Sequence, residues 1–182
     1  MAPPEAATPC WYVMRDLSRS HALNPAYKVL KEAGLEIFTP MVRKTITRRG
    51  KRRIVEVPYM ADLIFIHASQ QTIDPWLRML PRLQYRFMKG FHNRRMTVPE
   101  AEMQQFITAV ERVPQAAYID PELITPQMYG RTVRIIGGEL IGYEGRLLKV
   151  RGTRKRRFIV SIPGLIAATV DLDPAHIEFL EA

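Results

Sequence analysis

The pattern of apolar and polar residues divides the chain into two regions that we expect to fold differently. Before residue 113, short strand-like runs alternate with segments whose apolar residues recur every three or four positions, the spacing of one helix face. After residue 126 only strand-like runs remain, separated by glycines and prolines. This pattern predicts an α+β domain followed by a small all-β barrel.

The first region begins with a strand, a helix and a second strand. The aromatic and β-branched run at residues 11–15 predicts the first strand. Asn24 is a suitable N-cap, Pro25 a suitable first helical residue, and Gly34 ends the apolar stripe of this helix. Residues 35–39 then return to a strand pattern. The order and length predict a unit of the βαβ type.

Residues 41–57 predict a strongly basic β-hairpin with Gly50 at or near its tip. Like charges crowded on a hairpin repel one another unless a polyanion lies nearby, so we expect contacts to phosphates with little sequence preference. The alternative is a solvated hairpin that touches nothing. The candidate nucleic-acid-binding residues are Arg43, Lys44, Arg48, Arg49, Lys51, Arg52 and Arg53. A second basic cluster, at residues 151–157, has the same two interpretations.

Four further elements are predicted in the first region. Residues 63–67 form its most apolar strand, residues 74–80 a short helix that begins at an Asp-Pro pair, and residues 83–88 another strand. Thr97 and Glu100 have the spacing of a capping box, which predicts the start of a final helix.

Domain boundaries follow from the same signals. Residues 1–10, rich in Pro and Ala, predict a disordered tail. Residues 114–125 lack periodicity and contain prolines, which predicts a linker. We therefore expect folded domains at residues 11–113 and 126–182.

A glycine-punctuated β-unit opens the second region. Val133 and Ile135 alternate with polar neighbours, as on a half-buried strand. Glycines that allow positive φ or a close backbone approach follow at Gly138, Gly142 and Gly145. Leu140 and Tyr143 lie in this turn, where an apolar side chain has little core to enter, so they are candidates for partner binding or for packing within the barrel.

Composition favours a basic globular protein that binds polyanions. The 182 residues are 47% hydrophobic, the formal net charge is +9 and the pI is near 10.0. A single cysteine, Cys10, cannot form an intrachain disulfide, and we expect a cytoplasmic protein with no signal peptide and no membrane span. The four histidines are scattered and no phosphate-binding glycine loop occurs, so we expect neither an enzyme nor a metal or cofactor.

The glycine unit resembles a known motif. The spacing of Val133, Ile135, Gly138, Gly142 and Gly145 is similar to the KOW motif, which opens a small SH3-like barrel in NusG-type transcription factors and several ribosomal proteins. The first region resembles the NGN domain of the NusG family, which opens with a Trp-Tyr-Val strand. The family's Pro-Gly-Tyr before the apolar strand is Ala61-Asp62-Leu63 here. The resemblance covers residues 11–182.

This resemblance implies an α+β NGN-like domain followed by an SH3-like KOW barrel. It implies that Leu63, Phe65 and Phe87 contact the clamp helices of RNA polymerase, although burial of both faces of this strand in the core is the alternative. It also implies that Leu140 and Tyr143 help the barrel bind a ribosomal protein or the termination factor Rho.

The prediction is a monomeric elongation or antitermination factor that binds RNA polymerase and the DNA of the elongation complex. Two segments resemble the UpxY-type paralogues of the family, which act at surface-polysaccharide operons. They are the predicted final helix of the first region, at residues 98–111, and the barrel sequence at residues 158–168. The alternative is a ribosome-associated KOW protein that binds RNA. Strand-forming residues dominate the second region, so we expect a barrel that does not refold into helices.

Overall fold

The structure is a computed structural model that describes residues 8–18, 22–91, 93–113, 116–149 and 156–180. The chain forms two compact units, Met1–Pro99 and Glu100–Ala182. Among the described residues, no helix is long and apolar enough to cross a membrane. The predicted tail lies mostly outside the described residues, and so does most of the basic cluster at residues 151–157.

The first unit contains a five-stranded sheet, a separate two-stranded hairpin and two helices. Its elements in chain order are β1 (Cys10–Asp16), α1 (Ala26–Glu32), β2 (Glu36–Phe38), β3 (Met41–Arg48), β4 (Lys51–Pro58), β5 (Leu63–Ala68), α2 (Gln70–Met79), β6 (Leu83–Tyr85) and β7 (Thr97–Val98). The sheet order is β2-β5-β1-β6, and β7 also pairs with β1. All these pairs are antiparallel.

The predicted strand–helix–strand unit is split by a third strand. Because β5 lies between β1 and β2 and is antiparallel to both, the two strands run in the same direction without touching. The most apolar predicted strand is therefore an interior strand of the sheet, and so is β1.

Both helices pack on one face of this sheet. Directly opposed residues of an antiparallel pair share a face, so Tyr12 lies beside Ile66 and Met14 beside Ile64. The helices contribute apolar side chains to the same core. Its buried members are Tyr12, Met14, Ala26, Leu30, Ile64, Ile66, Ile73, Leu83 and Tyr85.

The start of α1 differs from the prediction. Asn24 is not its cap. The N-cap residue is Pro25, which has no side-chain hydrogen bond to the helix. The buried carboxylate of Asp16, at the end of β1, accepts a hydrogen bond from the Ala26 N–H at 2.7 Å. A group distant in sequence therefore satisfies a free helix N–H, and a local search for caps could not find it.

The helices α2 and α3 (Glu100–Arg112) also begin differently from the prediction. The Oγ of Ser69 caps α2 by accepting from the Thr72 N–H at 3.3 Å, so Pro75 lies inside the helix. Thr97 belongs to β7, where it pairs with Tyr12, so it does not form the predicted capping box.

The second unit consists of α3 and a six-stranded sheet. The strands are β8 (Ala117–Ile119), β9 (Tyr129–Ile135), β10 (Glu144–Leu148), β11 (Arg156–Ile162), β12 (Ile166–Leu172) and β13 (Ile177–Phe179). Their order is β13-β9-β10-β11-β12-β8 and every pair is antiparallel. This sheet-rich unit after an α+β unit confirms the predicted fold class.

The predicted linker contains a strand. Residues 117–119 form β8, which pairs with β12 through Tyr118 and Ala168. The ring of Tyr118 also lies 6.4 Å from that of Phe106 in α3, and α3 packs against β11 and β12. Three residues are too few to show the alternation of a strand. The prolines on either side therefore led to the prediction of a linker. The contacts place α3 in the second unit, whereas the sequence grouped it with the first.

Candidate functional site

The basic hairpin is a regular two-stranded ribbon. β3 and β4 pair along their whole length, from Met41 opposite Pro58 to Arg48 opposite Lys51. The two turn residues, Arg49 and Gly50, have φ values of 50° and 74°. Two consecutive positive φ values define the tight hairpin turn that matches strand twist, so Gly50 lies at the tip as predicted.

The outer part of this ribbon is exposed on both faces. Every residue from 43 to 54 is exposed, and this range holds all seven predicted nucleic-acid-binding residues and no acidic residue. Cross-strand pairing puts Arg48 directly opposite Lys51, an arrangement of like charges that destabilises a ribbon. Glu56, farther down β4, lies 3.6 Å from Arg43 in an exposed ion pair of little energetic value. The hairpin therefore offers a dense positive charge to water.

Apolar side chains on the ribbon are exposed as well. Ile54 shares one face with Thr45, and Ile46 shares the other with Arg53. Ile54 is 73% exposed and Ile46 is also exposed. An isolated exposed isoleucine is unremarkable. One on each face of a charged ribbon allows either face to contact a partner through apolar as well as ionic groups.

The strand predicted to contact polymerase is buried. Leu63 and Phe65 are both 0% exposed. Phe65 lies opposite Val13 on one side and Phe38 on the other, and the Phe38 and Phe65 ring centroids are 6.2 Å apart. These residues share the sheet face away from the α1 and α2 core. Sequence analysis gave two alternatives for this strand, contact with polymerase or burial of both faces. In this conformation both faces of β5 are buried.

A polar cluster fixes the connection into β5. The carboxylate of Asp62 accepts a hydrogen bond from Arg86 at 2.8 Å and lies 3.6 Å from Nε of Arg15. The Asp62 carbonyl accepts from the Asp16 N–H. Asp62 is the residue that the sequence resemblance aligns with a glycine before the apolar strand. Its side chain thus takes a structural role that glycine could not have.

Phe87 lies in a second exposed loop that sequence analysis did not single out. We call residues 87–91 and 93–95 the aromatic loop. Phe87 is 51% exposed and Phe91 is 56% exposed. The guanidinium of Arg94 lies 5.7 Å from the centroid of the Phe91 ring. The available signal was two phenylalanines interleaved with Lys and Arg, which the strand prediction at residues 83–88 obscured.

Two buried tyrosines beside this loop stay protonated at neutral pH. Burial, together with contact to Cys10, raises the pKa of Tyr12 to about 12. Burial and a hydrogen bond donated by the Tyr85 hydroxyl to Asp74 at 3.0 Å raise the pKa of Tyr85. Arg95 lies over the Tyr85 ring at 4.7 Å. The two tyrosines are therefore uncharged at neutral pH, and Tyr85 contacts the base of the loop through Arg95.

The glycine turn of the second unit has the backbone that its sequence indicated. Gly138 and Gly142 have φ values of 80° and 85°. A β-carbon on Gly145 would lie 2.6 Å from the Phe158 ring, so close packing of two strands requires glycine there. The Ile135 N–H donates to the Tyr143 carbonyl at 2.8 Å and closes the turn.

The apolar residues of the glycine turn differ in their exposure. Leu140 is only 2% exposed, so in this structure the alternative of packing within the second unit applies to it. Tyr143 is half-buried. Ile141, by contrast, is 64% exposed, so a partner that binds this turn would meet Ile141 before Leu140.

Ion pairs tie the strands of the second unit together beside this turn. Arg134 in β9 binds Glu144 in β10 at 2.6 Å and Glu178 in β13 at 3.3 Å. The Glu144 hydrogen bond is the main cause of a raised pKa for Arg134. These exposed pairs satisfy one another and leave little charge for a ligand. Among the described residues, no group of three or more His, Cys, Asp or Glu could hold a metal ion.

Comparison with known proteins identifies the class. The family model described as "Transcription termination factor nusG" matches residues 9–107. No curated protein sequence matches. A solved structure described as "Domain interaction in Thermotoga maritima NusG" has 16% sequence identity, covers 96% of this chain and 98% of its own, and gives a TM-score of 0.45.

The family model, which matches the α+β unit that carries the exposed basic hairpin, identifies the class as a transcription factor of the elongation type. The family model covers more than half of the chain. The chain therefore belongs to the NusG family.

Proposed function

We propose that this chain is an elongation and antitermination factor that binds RNA polymerase through its first domain and suppresses pausing or termination. Family membership supports the kind of protein and the kind of partner. The observation that carries the proposal is the exposed ribbon at residues 43–54, which holds seven cations and no acidic residue.

The ribbon binds the DNA of the elongation complex. Its cations lie on both faces and at the tip, so phosphates on either side can be neutralised without reading bases. The like-charge pair of Arg48 and Lys51 becomes favourable once a phosphate lies between or beside the two side chains. Nucleic acid thus removes a repulsion that the free protein carries.

Polymerase contact involves Leu63, Phe65 and Phe87, which the family resemblance aligns with the surface that grips the clamp helices. Phe87 is exposed in this structure. Leu63 and Phe65 are buried, so they reach polymerase only in a conformation that uncovers their sheet face. The proposal therefore predicts that polymerase selects such a conformation.

The second domain binds a further protein, a ribosomal protein or Rho, through the glycine turn. Exposed Ile141 and half-buried Tyr143 support this surface. We keep residues 11–113 and 126–182 as the functional domains, although α3 packs with the second unit. Action at particular operons, such as surface-polysaccharide clusters, is part of the same proposal and is supported by the UpxY-like sequence.

A pausing assay with purified core polymerase tests this function. We expect the protein to shorten pauses, and the triple variant Arg49→Gln, Lys51→Gln, Arg52→Gln to lose part of this effect. Its charge-matched control neutralises three exposed cations of the helices, with Lys28→Gln, Lys31→Gln and Arg112→Gln. Unchanged pausing and termination with the wild-type protein would contradict the proposal. Salt-sensitive RNA binding without any polymerase effect would favour a ribosome-associated protein instead.

A further inference from the structure

A second stretch of sequence rich in cations lies outside the basic hairpin. Between Asp74 and Glu100 the sequence has no acidic residue, yet it has six cations. These cations are Arg78, Arg82, Arg86, Lys89, Arg94 and Arg95. Three of them lie in the aromatic loop, the segment with the two exposed phenylalanines. Arg82 and Arg86 lie 3.8 and 2.8 Å from the carboxylates of Asp16 and Asp62, so the exposed Lys89 and Arg94 of the aromatic loop are the cations that favour an anionic partner there.

Backbone pairing holds the aromatic loop closed. The Met88 N–H donates to the Arg94 carbonyl at 2.9 Å, and the Phe91 N–H donates to the Met88 carbonyl at 3.2 Å. Phe87 and Arg95 pair across the base of the loop as an isolated antiparallel bridge. Phe91 therefore lies at the tip of a loop whose base is fixed.

The tip combines an exposed aromatic ring with cations. Phe91 is 56% exposed, and the Arg94 guanidinium lies 5.7 Å from its ring centroid. A β-carbon added to Gly90 would meet no heavy atom within 4 Å apart from its chain neighbours, so the backbone before Phe91 is not packed against the rest of the unit. Lys89 is exposed as well. Arg95 has a different role, because it packs over the buried Tyr85 ring.

These features match one class of ligand. Aromatic rings that accept stacked bases, with Arg and Lys that contact the adjacent phosphates, are the usual means of binding single-stranded nucleic acid. A duplex hides its base faces inside the helix and offers Phe91 nothing to stack on. An acidic protein segment would use the cations but would need no flat ring.

We propose that the aromatic loop binds single-stranded nucleic acid, with a base stacked on Phe91 and phosphates held by Lys89 and Arg94. This contact is separate from the proposed phosphate contacts of the hairpin. The inference rests on the proposed function in one respect, namely that an elongation complex supplies the single strands. Phe91 would discriminate single strands from duplex, which the hairpin does not do.

Fluorescence anisotropy with the full chain tests the proposal. The probes are labelled 15-mers of dT and of U and a 15-base-pair duplex. We expect Phe91→Ala to weaken binding of the single strands about 5- to 150-fold, the range for loss of one base–aromatic stack, and to leave duplex binding within about twofold. If Phe91→Ala weakens binding of the dT 15-mer more, the preferred ligand is single-stranded DNA. If it weakens binding of the U 15-mer more, the preferred ligand is RNA.

Two further substitutions separate stacking from simple apolar contact. Phe91→Tyr keeps a flat ring and should bind within about twofold of wild type, whereas Phe91→Leu keeps apolar area and should weaken binding nearly as much as alanine. Arg94→Gln should reduce the slope of log affinity against log salt by about 0.7 for a single strand. The matched control is Phe179→Leu, since Phe179 is another exposed ring, with Arg131 4.3 Å from its centroid in the second unit.

Binding by Phe91→Leu at wild-type strength would overturn the proposal, and so would equal losses for duplex and single strand. The test can be separated from the proposed function by repeating it in the triple hairpin variant. In the background of Arg49→Gln, Lys51→Gln and Arg52→Gln, overall affinity falls, but Phe91→Ala should produce the same fold-change. A failed pausing assay would leave this comparison intact.

Discussion

The hairpin at residues 43–54 and the strand β5 were both predicted as binding surfaces, and the structure treats them in opposite ways. The hairpin is exposed throughout, whereas residues 63–66 of β5 are buried on both faces. Seven cations cannot be desolvated without partners, so their exposure follows from charge alone. Apolar side chains are stable both in a core and under a partner, so their pattern does not decide between the two. Charge therefore predicts accessibility more securely than hydrophobicity does.

The largest expected effect comes from placing a charge in β5. Phe65→Glu buries a carboxylate where Phe65 is 0% exposed and should lower the free energy of unfolding by at least about 3–5 kcal/mol. Ile54→Glu, on the exposed hairpin, should change it by less than about 0.5 kcal/mol. Urea denaturation followed by circular dichroism measures both. Equal stability of the two variants would mean that β5 is as accessible as the hairpin.

A smaller loss of stability is expected from substitution of Asp16, a buried carboxylate at the end of β1. Asp16 is 1% exposed and accepts hydrogen bonds from the N–H groups of Ser18 and Ala26. Asp16→Ala should cost about 1–3 kcal/mol because these donors lose their partner in a buried site. Asp173→Ala removes a comparable but exposed turn contact, to the Ala175 N–H, and should cost about 1 kcal/mol or less. Thermal unfolding of the two variants compares a buried with an exposed carboxylate.

Neutralising the hairpin should affect binding far more than stability. The variant with Gln at positions 49, 51 and 52 should reduce the salt slope of duplex binding by up to about 2.7, since each phosphate contact contributes about 0.9. Its free energy of unfolding should stay within about 0.5 kcal/mol of wild type. Anisotropy titrations at several salt concentrations measure the slope. An unchanged slope would support the solvated hairpin that contacts no phosphate.

The smallest change in stability is expected from a substitution in the turn of the basic hairpin. Arg49 has a φ of 50°, a conformation that asparagine adopts more readily than arginine does. Arg49→Asn should therefore stabilise the hairpin by a few tenths of a kcal/mol to about 1 kcal/mol while it removes one phosphate contact. Amide hydrogen exchange in β3 and β4 reports the stability. Faster exchange in the variant would show that arginine is not strained there.

Sequence alone predicted the elements whose signal is local. The alternation around Val133, the hairpin tip at Gly50 and the apolar strand β5 all depend on residues that are close in the chain. The positive φ values of Gly138 and Gly142 follow from the same kind of local evidence.

The features that sequence missed depend on contacts between distant residues. Asp16 reaches α1 from the end of β1, and β8 exists because β12 offers it a partner. Sequence left two alternatives for Leu140, partner binding or packing within the barrel, and only the folded turn shows that its side chain is buried. Which apolar residues of a turn are buried depends on the strands beneath it, and no period in the sequence encodes this.

Binding of the purified full chain to core RNA polymerase, measured with and without nucleic acid at near-physiological salt, tests the central claim most directly. The account predicts binding that persists without nucleic acid, maps to residues 11–113 and is weakened by Phe87→Ala. Absence of binding to polymerase, together with salt-sensitive RNA binding by the same preparation, would contradict it.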